Sequence, residues 1–296
     1  MTEYDPADDS IKSYYAAIEA KRRLRVLSLG AGVQSTTLAL MAAHGAIGPM
    51  PDCAIFADTG WEPGAVYEHL KWLCSPNVLP FPVYSVTAGN IREHTIAKTN
   101  TTGQRFASVP WFVLSPKGKP GMGRRQCTKE YKLRPVQRKV VDLLNGKRPK
   151  GGAEVWVGIS TDESWRMKPS RVQYIVNRHP LIEAGISRRH CFDWLERNGY
   201  PVVRPEDATL DCPQWPPKSS CIGCPFRDDT QWRGLTPDEF ADAVDVDRAI
   251  RHQPGMRGQQ FMHRSLKPLD QVDFSTAEER GQLNLFLNEC EGMCGV

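Results

Sequence analysis

Short apolar runs alternate with longer amphipathic stretches over the first half of the chain. The apolar runs stand between turn-forming residues and predict strands at 24–29, 53–58, 81–86 and 154–159. The stretches between them predict helices at 35–44, 63–74, 89–98 and 132–145. Strands that alternate with helices favour an α/β fold, a doubly wound and mostly parallel sheet.

The same pattern divides the chain of 296 residues into three parts. We predict an N-terminal extension (1–23), an α/β domain (24–200) and a Cys-rich segment with C-terminal helices (201–296). Gly, Pro and basic residues without a clear period fill 99–125, which predicts a long mobile loop over one edge of the sheet. Further helices are predicted over 187–201, up to about residue 250 and over 276–290.

Three polar stretches follow predicted strands: "SLGAGVQS" (28–35), "DTG" (58–60) and "GISTDES" (158–164). Ligands of parallel sheets bind beyond the carboxyl ends of the strands, so these stretches predict one shared site. In the first of them, small residues precede a helix start, an arrangement that holds phosphate with backbone N–H groups. The stretch lacks the Gly-Lys-Ser/Thr of a P-loop, and Ser35 stands where a dinucleotide-binding turn has its third glycine.

Charge and cysteine content indicate which partner, which compartment and which role of the cysteines to expect. The net charge of +4 conceals a basic segment from Arg105 to Lys150, with thirteen Lys and Arg against two acidic residues. Such a segment favours a polyanionic partner, a nucleic acid or a multiply phosphorylated nucleotide, although a solvated surface is the alternative. We expect a cytoplasmic protein, because the chain has no run of 18 apolar residues and begins without a secretory signal. Its nine cysteines then indicate metal ligands or redox thiols.

The turn "SLGAGVQS" resembles the pyrophosphate-binding loop of the PP-loop ATP pyrophosphatases. Four more stretches, in family order up to Phe226, are similar to the branch that contains phosphoadenosine-phosphosulfate (PAPS) reductases and DNA-phosphorothioation sulfur-transfer enzymes. They are "FADTGWEPGAVYEHL", "RRQCTKEYKLRP", "GISTDESWR" and "KSSCIGCPF". The chain departs from the family pattern at four positions: Gly30 for Ser, Ala31 for Gly, Gln34 for Asp and Ser160 for Arg. Arg166 also comes one residue early.

The resemblance implies the fold of the adenine nucleotide alpha hydrolases (HUP-type), with a C-terminal Cys-containing helical extension. It also implies ATP, or PAPS, along the strand ends, with Mg²⁺ assisting if pyrophosphate leaves. Arg125 and Lys132 would neutralise phosphate or sulfate charge. The residues implied in nucleotide binding are Ser28, Gly30, Ala31, Gly32, Gln34, Ser35, Asp58, Thr59, Gly60, Gly158, Glu163 and Arg166.

Five cysteines are candidates for the chemistry. Cys127, Cys221 and Cys224, with cations nearby, suit a 4Fe–4S cluster with one open iron, and zinc is the alternative. Cys290 and Cys294 in the tail resemble, imperfectly, the nucleophilic Cys of PAPS reductases. They are otherwise partners of Cys221 and Cys224 in a four-thiolate zinc site, or a redox pair.

The implied function is ATP-dependent adenylylation of a substrate, with cluster or persulfide sulfur then displacing AMP. The basic segment favours a nucleic acid substrate, and a cysteine desulfurase or a thiol reductant is implied as a partner. One alternative is a thiol-dependent reductase of PAPS or adenosine phosphosulfate with Cys290 as the nucleophile, and another is a non-catalytic nucleotide- or nucleic-acid-binding regulator. We expect no membrane association and a possible homodimer. Trp165 is expected to pack in the core, whereas Trp111 and Phe112 are candidates for stacking on a base.

Overall fold

Five parallel strands form the central sheet of the protein. The computed structural model describes residues 23–99, 109–209, 211–253, 258–275 and 279. The sheet has the order β3-β2-β1-β6-β7. Its strands are β1 (Leu24–Leu29), β2 (Cys53–Asp58), β3 (Val83–Thr87), β6 (Ala153–Val157) and β7 (Ile175–Arg178). The prediction of an α/β fold with a parallel, doubly wound sheet is confirmed.

The central strand β1 explains why the sheet is covered on both faces. Val26 lies opposite Cys53 of β2 and Val155 of β6, so β1 is paired along both edges. Leu27 packs into the core on one face and Val26 into the core on the other. Apolar residues at consecutive positions are typical of parallel strands that helices cover on both sides. The strand order reverses at β1, which places a crevice between the carboxyl ends of β1 and β6.

Eight α-helices lie in the described residues, and the helices predicted up to residue 250 are present with shifts of a few residues. They are α1 (Val33–Ala43), α2 (Gly64–Leu73), α3 (Ile91–Ala97), α4 (Arg134–Leu143), α5 (Pro180–Glu183), α6 (Arg188–Arg197), α7 (Asp229–Arg233) and α8 (Pro237–Ile250). A π-helical turn, Thr128–Leu133, runs directly into α4. A 3-10 helix, Thr161–Arg166, follows β6.

The region 99–125 differs from the predicted loop. It contains β4 (Phe112–Leu114) and β5 (Pro120–Met122), which pair antiparallel. β8 (Gln259–Phe261) adds to β4 and completes a second, three-stranded sheet. Strands of three residues are too short to show a hydrophobic period, which is why the sequence did not predict them. Residues 100–108 of this region lie outside the described residues.

A further cluster of buried residues, called the second core below, is distinct from the two that cover the faces of the central sheet. Trp61, Tyr131, Ile222 and Trp232 are buried together there, so residues from before and after position 200 share one apolar interior. The division of the chain at residue 200 stays a prediction. The predicted N-terminal extension and last helix (276–290) fall almost entirely outside the described residues. No helix in the described part of the chain is long and apolar enough to cross a membrane.

Candidate active site

A tight turn between β1 and α1 forms the floor of the candidate site. The Ser35 hydroxyl accepts hydrogen bonds from Gly30 N (3.1 Å) and Gly32 N (3.3 Å) and donates to Gly32 O (3.2 Å). Ala31 adopts a left-handed φ of 56°, a conformation in which glycine is favoured. The first turn of α1 presents N–H groups that have no partner within the helix. The segment 30–35 is therefore a candidate site for an anion at the carboxyl end of β1, and we call it the phosphate turn.

A second stretch, after β6, packs against this turn. A Cβ atom at Gly158 would lie 2.9 Å from Ser35 N, so only glycine allows this approach. Gln34 Nε2 donates to Glu163 Oε2 (3.1 Å), and Arg166 pairs with the same carboxylate (2.7 Å). Gln34 thus joins the phosphate turn to the 3-10 helix.

The third stretch, "DTGWE", forms a turn after β2. Asp58 Oδ1 accepts from Gly60 N (2.7 Å) and from the Tyr67 hydroxyl (2.9 Å), so this carboxylate is engaged in shaping the turn. Gly60 has a φ of 71°, and a Cβ atom there would lie 3.0 Å from Asn90 Cα. Glycine is required at this position on both grounds.

Glu62 is the centre of a buried polar cluster, although the sequence analysis assigned it no role. Its Oε1 accepts from Thr59 Oγ1 (3.1 Å) and from Lys132 Nζ (3.2 Å), and Cys221 Sγ lies 3.9 Å away. Its Oε2 is buried and has no hydrogen-bond partner in the structure. Burial alone would lower the pKa of Lys132, but Glu62 and then Cys221 raise it above the ordinary value. Lys132 therefore remains charged beside the thiol.

One segment, Pro217–Cys224, joins the phosphate turn to this buried cluster. A Cβ atom at Gly32 would be in ordinary contact with Ser219, 3.6 Å from its Cβ. Two residues further on, Cys221 Sγ lies 3.3 Å from Thr59 Oγ1. The buried Arg227 holds the segment by donating to the carbonyls of Ser220 (3.0 Å), Cys221 (3.2 Å) and Ile222 (2.8 Å). The phosphate turn and the cysteine pair thus belong to one site.

Two thiols of this site, those of Cys221 and Cys127, have raised pKa values. Burial, and then the Glu62 carboxylate, raise the pKa of Cys221, while Lys132 opposes the shift. Burial also raises the pKa of Cys127, Cys224 adds to it, and Arg125 opposes it. Since the thiolate is the reactive form, these cysteines are protected until their surroundings change.

The three cysteines were also predicted to hold a metal cluster. No group of three or more His, Cys, Asp or Glu side chains is arranged to hold a metal ion in the part of the chain that the structure describes. The thiols of the described residues, as they are placed here, do not fit a cluster. The cluster, and zinc as its alternative, stay predictions. Cys290 and Cys294 lie outside the described residues.

Lys218 is a candidate that the sequence analysis missed. It lies next to Ser219, the residue above Gly32, and its ammonium has no hydrogen bond or ion pair with any described residue. Burial and the nearby charge of Arg188 lower the pKa of Lys218, and the carboxylates of Asp228 and Glu163 oppose this. A lysine without a counter-ion among the described residues, one residue from Ser219, favours an anion at the neighbouring turn. The only hint in the sequence was the position of Lys218 before the C-x-x-C stretch.

The burial of Trp165 and of Trp111 differs from what the sequence predicted, and Arg125 contacts an aromatic ring. Trp165 was expected in the core, but 80% of it is exposed. Trp111, a candidate for base stacking, is 2% exposed and belongs to the second core. The Arg125 guanidinium lies 4.8 Å from the centre of the Phe226 ring and donates to Thr128 Oγ1 (3.2 Å).

Comparisons with known proteins find likeness to solved structures. No protein-family model matches the sequence. No curated protein is similar to it at a significant level. Among solved structures, the chain is similar to the phosphoadenylyl-sulfate (PAPS) reductase from Candida auris in its phosphate complex, at 13% sequence identity and a TM-score of 0.42. The match covers 68% of this chain and 90% of the reductase. The assignment of the site rests on this chain's own residues.

Proposed function

We propose that the protein is an ATP-dependent sulfur-transfer enzyme that activates an oxygen of its acceptor by adenylylation. The observation that carries the proposal is the segment Pro217–Cys224, which places Ser219 against the phosphate turn and Cys221 against Thr59 and Glu62. A nucleotide held on the turn would have its phosphates near half-buried thiols. That arrangement suits a reaction in which a nucleotide activates one group and sulfur displaces it.

The first step joins the acceptor to AMP. The acceptor oxygen attacks the α-phosphorus of ATP, the bond to the β-phosphate oxygen breaks, and pyrophosphate leaves. We expect N–H groups of the turn and the Lys218 ammonium to bind the phosphate oxygens. Mg²⁺ is expected to enter with ATP as its counter-ion.

The second step transfers sulfur from a cysteine persulfide, which a cysteine desulfurase supplies. The terminal sulfur attacks the acceptor carbon, the bond from carbon to oxygen breaks, and AMP leaves. A second cysteine then attacks the enzyme-bound sulfur, so the new sulfur stays on the acceptor and a disulfide forms between two cysteines. A thiol reductant supplies the two electrons that reopen it.

A nucleic acid is the acceptor that the charge pattern favours. Arg124, Arg125 and Lys129 are exposed, and they lie on either side of Cys127. Positive charge at the mouth of a site attracts a polyanion and brings it close to the thiols.

The experiment follows radioactive sulfur. Full-length protein is incubated with a cysteine desulfurase, [³⁵S]cysteine, a thiol reductant and an oligonucleotide pool, with and without ATP, and label in the oligonucleotide is counted. We expect ATP-dependent labelling that is lost in Cys221→Ala. Cys74→Ala is the matched control, because Cys74 is an exposed cysteine away from the polar cluster around Glu62.

Two results would overturn the proposal. Label that enters the oligonucleotide equally without ATP, or equally in Cys221→Ala, would separate the nucleotide turn from the thiols. Release of sulfite from PAPS, with a thiol reductant and without ATP, would assign the reductase reaction instead.

A further inference from the structure

An exposed tryptophan stands beside the phosphate turn. Trp165 lies on the 3-10 helix Thr161–Arg166, and 80% of its surface is open to solvent. The helix is fixed in place, because Glu163, two residues away, accepts a hydrogen bond from Gln34 and pairs with Arg166. A large apolar ring on a rigid support at the edge of a site is a typical contact surface.

A second exposed aromatic residue lies beyond the cysteine pair. Phe226 is 51% exposed, and the Arg125 guanidinium lies 4.8 Å from its ring centre. The next residue, Arg227, anchors the cysteine segment from below. Phe226 is therefore also held on a fixed support, with a cation at its face.

The supports of the two aromatic residues meet at the turn 30–35. Glu163, on the helix of Trp165, accepts a hydrogen bond from Gln34 of this turn (3.1 Å). Arg227, next to Phe226, donates to the carbonyl of Ser220 (3.0 Å), and the neighbouring Ser219 lies against Gly32. No acidic residue occurs from Ser164 to Ile182, where Arg166, Lys168 and Arg171 are exposed.

We propose that Trp165 and Phe226 stack on bases of a single-stranded nucleic acid, with the neighbouring cations binding its phosphates. This inference rests on the proposed function, which supplies a nucleic acid acceptor, and it specifies the single-stranded form. Exposed aromatic faces interleaved with positive charge bind unpaired bases, whose faces are free. A duplex keeps its base faces stacked inside and offers only its edges and backbone.

The experiment measures binding of a fluorescein-labelled strand of about 15 nucleotides, a length that covers the usual site sizes of such proteins. Fluorescence anisotropy is recorded with full-length protein at one salt concentration, for the single strand and for its duplex, without ATP. We expect the single strand to bind more tightly, and Trp165→Ala to weaken its binding by about tenfold, the effect of losing one stacked base. Trp165→Phe should keep part of the affinity, because a smaller ring still stacks.

Met50→Ala is the matched control. Met50 is 46% exposed and lies just before β2, at the opposite edge of the sheet from the site. Its substitution should leave strand binding unchanged. The inference would be overturned if Trp165→Ala bound the single strand as tightly as wild type, or if the duplex bound as tightly as the single strand. Equal losses of strand affinity in Trp165→Ala and Met50→Ala would also overturn it.

The proposed function is tested separately, by titration of ATP into the wild-type protein. Strand binding that depends on Trp165, in a protein that does not bind ATP, would overturn the nucleotide function and support the stacking surface. ATP binding without any dependence of strand binding on Trp165 would overturn the stacking surface alone.

Discussion

Replacing Gly158 by alanine tests the phosphate turn most sharply. The added Cβ atom would lie 2.9 Å from Ser35 N and 3.0 Å from Ser35 Cα. Ordinary contacts begin at 3.4 Å, so the backbone at Ser35 must move by about half an ångström. Ser35 Oγ holds Gly30 N and Gly32 N, and the movement therefore distorts the whole turn. Crowding of this kind costs about 1–3 kcal/mol of stability.

We expect Gly158→Ala to weaken ATP binding by at least about tenfold, which corresponds to about 1.4 kcal/mol. Isothermal titration with ATP measures the affinity, and urea denaturation measures the free energy of unfolding. Gly121→Ala is the control, because the nearest atom to its new Cβ is 4.0 Å away. Unchanged ATP affinity in a Gly158→Ala protein that has lost stability would show that ATP does not bind at Ser35. Unchanged affinity together with unchanged stability would refute the close contact itself.

Three further predictions follow from single groups. Lys218→Met should weaken ATP binding severalfold in titrations at low salt, and an equal affinity would exclude Lys218 from the phosphate site. Burial lowers the pKa of His69 to about 4 in the folded protein, from about 6.5 in the unfolded chain. As the pH falls below about 6.5, His69 is therefore protonated in the unfolded chain before it is protonated in the folded protein. The free energy of unfolding decreases from there down to about pH 4. Urea denaturation should therefore show that wild type loses roughly 2 kcal/mol more than His69→Gln between pH 7 and pH 5, and equal losses would contradict the shift. Iodoacetamide at pH 8, followed by peptide mass spectrometry, should label the exposed Cys212 well before the half-buried Cys221, whose pKa is raised by desolvation and by the Glu62 carboxylate, and equal rates would contradict that shift.

The sequence predicted the parts of the fold whose hydrophobic pattern is long enough to read. β1 and β2 have the predicted bounds because each is a continuous apolar run followed by a turn. β7 was not predicted, since "IVNR" has only two apolar residues and takes its place by pairing with β6. The same holds for β4, β5 and β8, whose pairing joins distant parts of the chain.

The sequence motifs predicted which residues belong to the candidate site, but not which of them are in contact. The resemblance pointed to Ser35, Gly158 and Cys221, and the structure places all three at one edge of the sheet. It could not show that Glu62 links Cys221 to Lys132, because that contact joins residues far apart in the chain. Nor could it show that Trp165 is exposed. A tryptophan in a short irregular segment has no period from which burial can be inferred.

The central claim is that the turn at 30–35 and the cysteine segment form one site for nucleotide activation. The most direct test identifies the products of [α-³²P]ATP after incubation with the full-length protein, a single-stranded oligonucleotide, a cysteine desulfurase with cysteine, and a thiol reductant. We expect labelled AMP and an equal amount of pyrophosphate, both of them formed only when the oligonucleotide is present. Labelled ADP, or AMP formed at the same rate without the oligonucleotide, would contradict it.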